Sequence, residues 1–373
     1  MSDVREPRRK RIVFVLPQLK TGGGVRVIVE LSNILVKEYD VSFVMPNVKD
    51  DCSFYIDENI QIIKVSKERS SAFGKLLNIF IMMLFLRKNY QDEVVITTDP
   101  VISPLFMFIR MKKLYRYVQA DDYRIFDDLL LLKNRFFLFV YKVLTKTAAK
   151  RKINYIFNSR FTYDMFVDLR GEAVPKRVVH PSINHEIFND RNRIYEREKL
   201  NICLIARKYP MKRFSDFVEA WREIKETKII KDNISEVYIL SHDDLSHFDM
   251  NGLNLIVPQD DEEIARYMKN SDIYIFTSQW EGFGLPPLEA MSCGCGVIAS
   301  DAKGINEYAK DGYNALIYKP SDIEALKNNI LKLCEDRELL KTIRKNALLT
   351  AKEFSWQKSA MTLKRYLEED GVL

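Results

Sequence analysis

At 373 residues, with 47% hydrophobic and 29% charged side chains, the chain is long enough for about two domains and too apolar for a disordered protein. Five scattered cysteines (Cys52, Cys203, Cys293, Cys295, Cys334) form no even disulfide framework and no metal-like cluster with histidine, which fits a reducing, cytoplasmic setting. The net charge of +6 is uneven, with 31 Lys and Arg against 20 Asp and Glu in residues 1–180 and 27 against 32 in the remainder, so the first half is suited to an anionic surface. No nucleic-acid recognition motif accompanies that charge, which leaves an anionic membrane as the better partner.

Arg8-Arg9-Lys10-Arg11 followed by Ile12–Leu16 imitates a signal peptide, but the apolar run stops at Pro17 and no small-residue cleavage site follows. It reads as a first buried strand. Gly22-Gly23-Gly24 then forms a loop, and Val25–Lys37 has the period of an amphipathic helix. Further strands are expected at 40–45, 60–65, 93–98, 115–119 and 155–158, with helices between them. A polar, charged stretch at 182–199 reads as a linker. A second series follows at 201–205, 236–240, 253–257, 272–277, 296–299 and 315–318. Strand alternating with helix implies parallel sheets covered on both faces, hence an α/β chain with two doubly wound domains. The expected boundaries are 1–182 and 183–354. No run reaches the roughly 18 apolar residues of a membrane span. Leu76–Leu86, Val101–Ile109 and Phe136–Leu144 are nonetheless unusually apolar, and Lys142, Lys146, Lys150, Arg151 and Lys152 lie near the last of them. Core helices account for part of this. Basic residues beside apolar faces also suit peripheral docking on anionic lipid, at the inner face of the cell membrane.

The segment 278–296 carries the most chemistry. An apolar strand runs into Glu281-Gly282-Phe283-Gly284-Leu285-Pro286-Pro287-Leu288-Glu289, where prolines can start a helix. Strand, glycine loop and helix N-terminus together present backbone N–H groups to a phosphate. Glu281 and Glu289 bracket that cradle, and as acids they suit hydroxyl groups better than phosphate. A plain βα turn would explain the glycines but not the paired acids.

Glu281 to Met291 resembles the E-x7-E signature of retaining glycosyltransferases of family 4, which have the GT-B fold, two Rossmann-like domains facing across a cleft; the resemblance also implies that the last segment, 355–373, packs back on the first domain. The resemblance implies transfer of a sugar from a nucleotide-diphosphate sugar to an acceptor hydroxyl, with no cofactor and no metal. It gives Glu289 the ribose hydroxyls and Glu281 a hydroxyl of the donor sugar. Backbone N–H groups of Phe283, Gly284 and Leu285, and the loop at Gly23 and Gly24, would meet phosphate or sugar oxygens. Arg207 and Lys212 match the family's cation pair that neutralises the diphosphate, and Arg213 lies close enough to replace Lys212. The family's usual glycine after that lysine is absent. On the acceptor side the family often places a histidine or an acid where this chain has Asp121 and Asp122; Asp122 is the candidate base, although a helix-capping role suits either acid. His180, His185 and Glu307 read as structural. The acceptor would be a lipid-linked glycan, in polysaccharide synthesis of the lipopolysaccharide O-antigen or capsule type. A GT-B epimerase, or a non-catalytic sugar-nucleotide-binding component of a glycan assembly complex, would share the fold.

Overall fold

The computed structural model describes residues 9–20, 22–48, 52, 54–69, 71–128 and 134–373. Arg8 of the basic run lies outside them. Two compact units divide at Pro181/Ser182, and the segment Trp356–Leu373 belongs to the first.

The first unit contains β1 (Arg11–Val15), β2 (Asp40–Pro46), β3 (Gln61–Val65), β4 (Val94–Thr97), β5 (Lys113–Val118) and β6 (Asn154–Phe157). All pair in parallel, in the order β3-β2-β1-β4-β5-β6. Strand β1 shows why so apolar a run is needed. Ile12 and Phe14 pack on one face with helices Gly23–Leu35 and Trp356–Glu369, while Val13 and Val15 pack on the other with helix Ala72–Tyr90. A strand buried on both faces cannot alternate polar with apolar. The C-terminal segment is pinned to the first unit: Asp370 accepts hydrogen bonds from Tyr115 Oη and Arg177 Nη1, each at 2.6 Å, and Ser359 Oγ donates to the carbonyl of His180 at 2.7 Å.

The apolar segments share one side of this sheet. Helix Ala72–Tyr90 buries Met82, Met83 and Leu86 with Phe106 and Ile109, and helix Arg135–Ala149 packs on the short helix Ile102–Leu105. Their outer surfaces leave Phe73, Phe80, Phe108, Phe136, Phe137 and Phe139 exposed, with Phe136 68% accessible. Lys75, Arg135, Lys146 and Lys150 are exposed on the same helices or at their ends. Among the described residues no helix is long and apolar enough to cross a membrane.

The second unit contains β7 (Leu200–Ile205), β8 (Ile234–Leu240), β9 (Asn254–Ile256), β10 (Ile273–Phe276), β11 (Gly296–Ser300) and β12 (Leu316–Tyr318). Again all are parallel, in the order β12-β11-β10-β7-β8-β9. The stretch 182–199 contains no described helix or strand. Strand limits agree with the sequence reading to within a residue or two. The helix after β1 differs, because it starts at Gly23, so Gly23 and Gly24 form its first turn instead of a free loop.

A buried ionic cluster sits at the amino end of β10. Asp272 is fully buried, accepts a hydrogen bond from the Asn201 N–H at 2.8 Å, and lies between Arg193 (3.7 Å) and Arg344. Removing one member of a buried charge set leaves the others unpaired. Asp272→Ala should therefore cost about 3–5 kcal/mol of stability. Urea unfolding would measure it, and a loss below about 1 kcal/mol would show that the arginines do not depend on this carboxylate.

Candidate functional site

Strand order reverses between β7 and β10, so the loops leaving their carboxyl ends lie side by side, where open α/β sheets bind ligands. The β7 exit carries Arg207, the 3-10 turn Pro210–Lys212, and Arg213 in the left-handed region at φ 51°. The β10 exit carries Thr277 to Gly284 and leads into helix Leu285–Ser292. Two hydrogen bonds lock these loops together, and a third ties the β10 exit to the end of β11. Gln279 N–H donates to the Met211 carbonyl at 2.8 Å, Thr277 Oγ1 to the Lys212 carbonyl at 2.7 Å, and Ser300 Oγ to the Ser278 carbonyl at 2.6 Å.

The locked loops bring Lys212 and Glu281 into an ion pair, although 69 residues separate them. Ser278 Oγ donates to the same Glu281 oxygen at 2.8 Å. Arg207 is 47% exposed and pairs through Nε with Asp243 at 2.9 Å. Burial pushes the Asp243 carboxyl up, but the Lys208 N–H and the Arg207 charge outweigh it and hold the group below its ordinary value. Each cation assigned to the diphosphate thus rests on a carboxylate that keeps it near the loop. Arg213, the alternative to Lys212, is held by Asp216 through two hydrogen bonds of 2.6 and 2.9 Å.

Gly284 precedes helix Leu285–Ser292 at φ +80°, a conformation that disfavours any side chain. Among the described residues no acceptor meets the N–H of Gly284 or Leu285, and Pro286 and Pro287 have none to offer. Phe283 is buried against Tyr308 and Phe354, with ring centroids at 5.4 and 5.9 Å, so its side chain anchors the loop. Glu289 lies on the helix and is 4% exposed. Tyr308 Oη donates to the Gly284 carbonyl, and its pKa is pushed well up by burial and by the charges of Glu281 and Glu289. Tyr308 therefore stands in the field of both acids, which no pattern in the sequence indicates.

The loop after β11 completes the floor. Glu281 N–H donates to the Ala302 carbonyl at 2.9 Å, and Gly304 lies so close that a Cβ there would meet the Glu281 carbonyl oxygen at 2.4 Å. Lys303 pairs with Asp301 at 2.6 Å. His185 is held between the Phe354 carbonyl and Ser292 Oγ, at 2.7 and 3.2 Å, a structural setting.

In the first unit, Gly23 and Gly24 follow β1, and Gln119 after β5 donates to the Gly24 carbonyl at 3.2 Å. Asp121 accepts from the N–H groups of Tyr123 and Arg124, at 3.1 and 3.2 Å, as a turn-capping carboxylate does. Asp122 pairs with the buried Arg116 at 2.6 Å; burial pushes its carboxyl up while Arg116 opposes the shift. Asp99, also pushed up by burial, caps the following turn through Val101 and Ile102 at 2.8 and 2.9 Å. Among the described residues no cluster of three or more His, Cys, Asp or Glu is placed to hold a metal ion.

Substitutions in the floor test this geometry. Gly304→Ala has to displace backbone, and overpacking of this kind costs about 1–3 kcal/mol. The expected result is a lower urea midpoint together with weaker nucleotide binding, because Glu281 rests on that contact. An unchanged midpoint would mean the loops can separate freely.

Residues 186–349 match the family described as glycosyl transferases group 1. The chain is 26% identical over 363 residues to an uncharacterized glycosyltransferase of Methanocaldococcus jannaschii, covering 89% of this chain and 90% of that one. Over 97 residues it is 34% identical to the O-antigen chain mannosyltransferase B of Escherichia coli, spanning 26% of this chain and 25% of that one. Over 190 residues it is 26% identical to an Escherichia coli UDP-Gal:alpha-D-GlcNAc-diphosphoundecaprenol alpha-1,3-galactosyltransferase, spanning 47% and 48%. Sucrose-phosphate synthase of Thermosynechococcus elongatus superposes with a TM-score of 0.77 at 16% identity, over 97% of this chain and 99% of that one. The two six-stranded parallel sheets are Rossmann-like units of the GT-B kind, and residues 186–349 form a glycosyltransferase group 1 domain.

Proposed function

We propose that the protein is a retaining, metal-independent glycosyltransferase of family 4 that moves a hexosyl group from a nucleotide-diphosphate sugar to an acceptor hydroxyl. The observation that carries this reading is the Lys212–Glu281 pair at the mouth of β7 and β10, beside the N–H groups of Gly284 and Leu285. The pair contains the two charges a bound donor requires, and each neutralises the other while no donor is present. An arriving diphosphate draws Lys212 and Arg207 off Glu281 and Asp243. Glu281, still held by Ser278, then accepts a hydroxyl of the donor sugar, and Glu289 accepts the ribose hydroxyls.

In the transfer step the bond from the anomeric carbon to the diphosphate oxygen breaks and a bond to the acceptor oxygen forms on the same face. The acceptor proton passes to the departing diphosphate. Negative charge grows on that leaving group, and fixed cations and N–H dipoles stabilise it. Asp122, held by Arg116, orients the acceptor hydroxyl. A thermal-shift screen with nucleoside diphosphates and sugar nucleotides should single out one donor, with stabilisation of a few kcal/mol at saturating excess. With that donor, Glu289→Ala should mainly raise its KM, whereas Glu281→Ala and Lys212→Ala should lower kcat about 100-fold or more. Affinity for the donor without turnover on any glycan acceptor would instead identify a binding component.

The surface of the first unit supports a lipid-linked acceptor. Six exposed phenylalanines among exposed lysines and an arginine suit shallow insertion into an anionic leaflet, where a lipid-linked glycan would lie. The named substrates of two partial relatives, an O-antigen chain and a diphosphoundecaprenol glycan, support the same class. The protein would then work peripherally on the inner face of the cell membrane, in cell-surface polysaccharide synthesis. Phe136→Ser/Phe137→Ser/Phe139→Ser should retain its fold, because all three rings are exposed, and should lose flotation with vesicles containing anionic lipid. Equal flotation of variant and parent, or indifference to lipid charge, would remove this surface from consideration.

A further inference from the structure

A second cationic site lies in the second unit, at the opposite end of its sheet. A groove of about 790 Å³ runs between the segment 195–200 and helix Arg337–Ala351. Its lining includes Leu200, which begins β7, and Arg344, which binds Asp272 just ahead of β10. The Glu281 loop leaves the carboxyl end of that same β10.

The groove has more positive charge than its own acids can neutralise. Arg337, Lys341, Lys345 and Lys352 recur on one stripe of the helix and its end, and Arg197 faces them from the other wall. Like charges one turn apart repel and disfavour the helix they sit on. Glu196, Glu198 and Glu338 are the acids in the lining, and among the described residues none forms an ion pair with these cations. Arg337 instead donates to the Asn233 side chain at 3.0 Å and to the Glu198 carbonyl at 3.3 Å.

The floor adds a second, independent sign. Arg344 is 94% buried, shares the one carboxylate of Asp272 with Arg193, and leaves its Nε without a partner among the described residues. Two guanidinium groups on one carboxylate leave an excess of positive charge at the base of the groove, met there by backbone carbonyls. The Arg197 Nε is likewise buried and unpartnered. Leu200, Leu340 and Leu348 contribute apolar surface to the lining. A cavity of this size, with convergent donors, suits a small molecule better than an extended surface.

We propose that this groove is a second ligand site, separate from the donor loops, that binds a small anion carrying two or more phosphates. Arg344 and Arg197 supply fixed positive charge at the floor, and Lys341 and Lys345 supply mobile charges at the rim. A ligand there also relieves the repulsion along the helix, so it stabilises the unit that carries the donor site.

Inorganic tripolyphosphate is the probe, titrated calorimetrically against the full chain at constant ionic strength. Lys341→Ala/Lys345→Ala keeps its fold, since both side chains are exposed, and should bind about 10-fold more weakly. Arg207→Ala/Lys212→Ala, which alters the donor loops, should keep one tripolyphosphate site of parental affinity. Glu338→Gln, which removes an acid from the lining, should tighten binding. No binding by the unaltered protein, equal affinity in the Lys341/Lys345 variant, or a loss confined to the Arg207/Lys212 variant would overturn the proposal. None of these outcomes depends on whether the donor site transfers a sugar.

Discussion

Everything at the candidate donor site depends on how β10 is held between its neighbours. Asp272 fixes that strand at its amino end. Its N–H donates to the Asn201 carbonyl at 2.6 Å, its carboxylate accepts from the Asn201 N–H, and its carbonyl accepts from the Gly296 N–H at 2.9 Å. One residue therefore sets the starts of β7, β10 and β11, the three strands whose exits build the site. A buried carboxylate needs compensation, and Arg193 and Arg344 provide it. Because the strands are short, an error of register at Asp272 would carry through to Glu281.

At the other end of β10 the same electrostatic rule works in reverse. Burial makes the Asp272 cluster permanent, whereas Lys212, Glu281, Arg207 and Asp243 are partly solvated and can exchange partners at modest cost. A site for a charged substrate gains from this difference. Its cations are oriented before the ligand arrives, and no fully desolvated pair has to be broken when it binds. Ser278 adds to the preorganisation by keeping Glu281 in place once Lys212 leaves it.

The strands were legible because a parallel strand covered on both faces is a continuous apolar run, and the twelve segments stand out between charged helices. Gly23 and Gly24 were read as loop because glycine disfavours helix, yet the fold needs the helix to begin at once after β1. The acids and cations of the site were legible one by one, through the resemblance of Glu281–Met291 to a known signature. Their pairing was not, since Lys212 and Glu281 lie 69 residues apart and meet only through loop–loop hydrogen bonds. For Arg213 a signal did exist: an aspartate three residues on, at the start of a helix, is a ready partner. Tyr308 and Asp243 carried no comparable sign.

Gly304 shows how closely fold and chemistry are joined here. The backbone of Glu281 and Gly282 rests directly on it, at distances no Cβ tolerates, so the acid assigned to the sugar is supported by an adjacent loop of the sheet. The next residue toward the N-terminus, Lys303, has φ 64°, which a lysine adopts only when its surroundings enforce it. That strain and the parallel bridge between Glu281 and Lys303 fall at the same place. Conformational cost is therefore concentrated where the loops after β10 and β11 must touch, and the buried strands behind them supply the stability that maintains it.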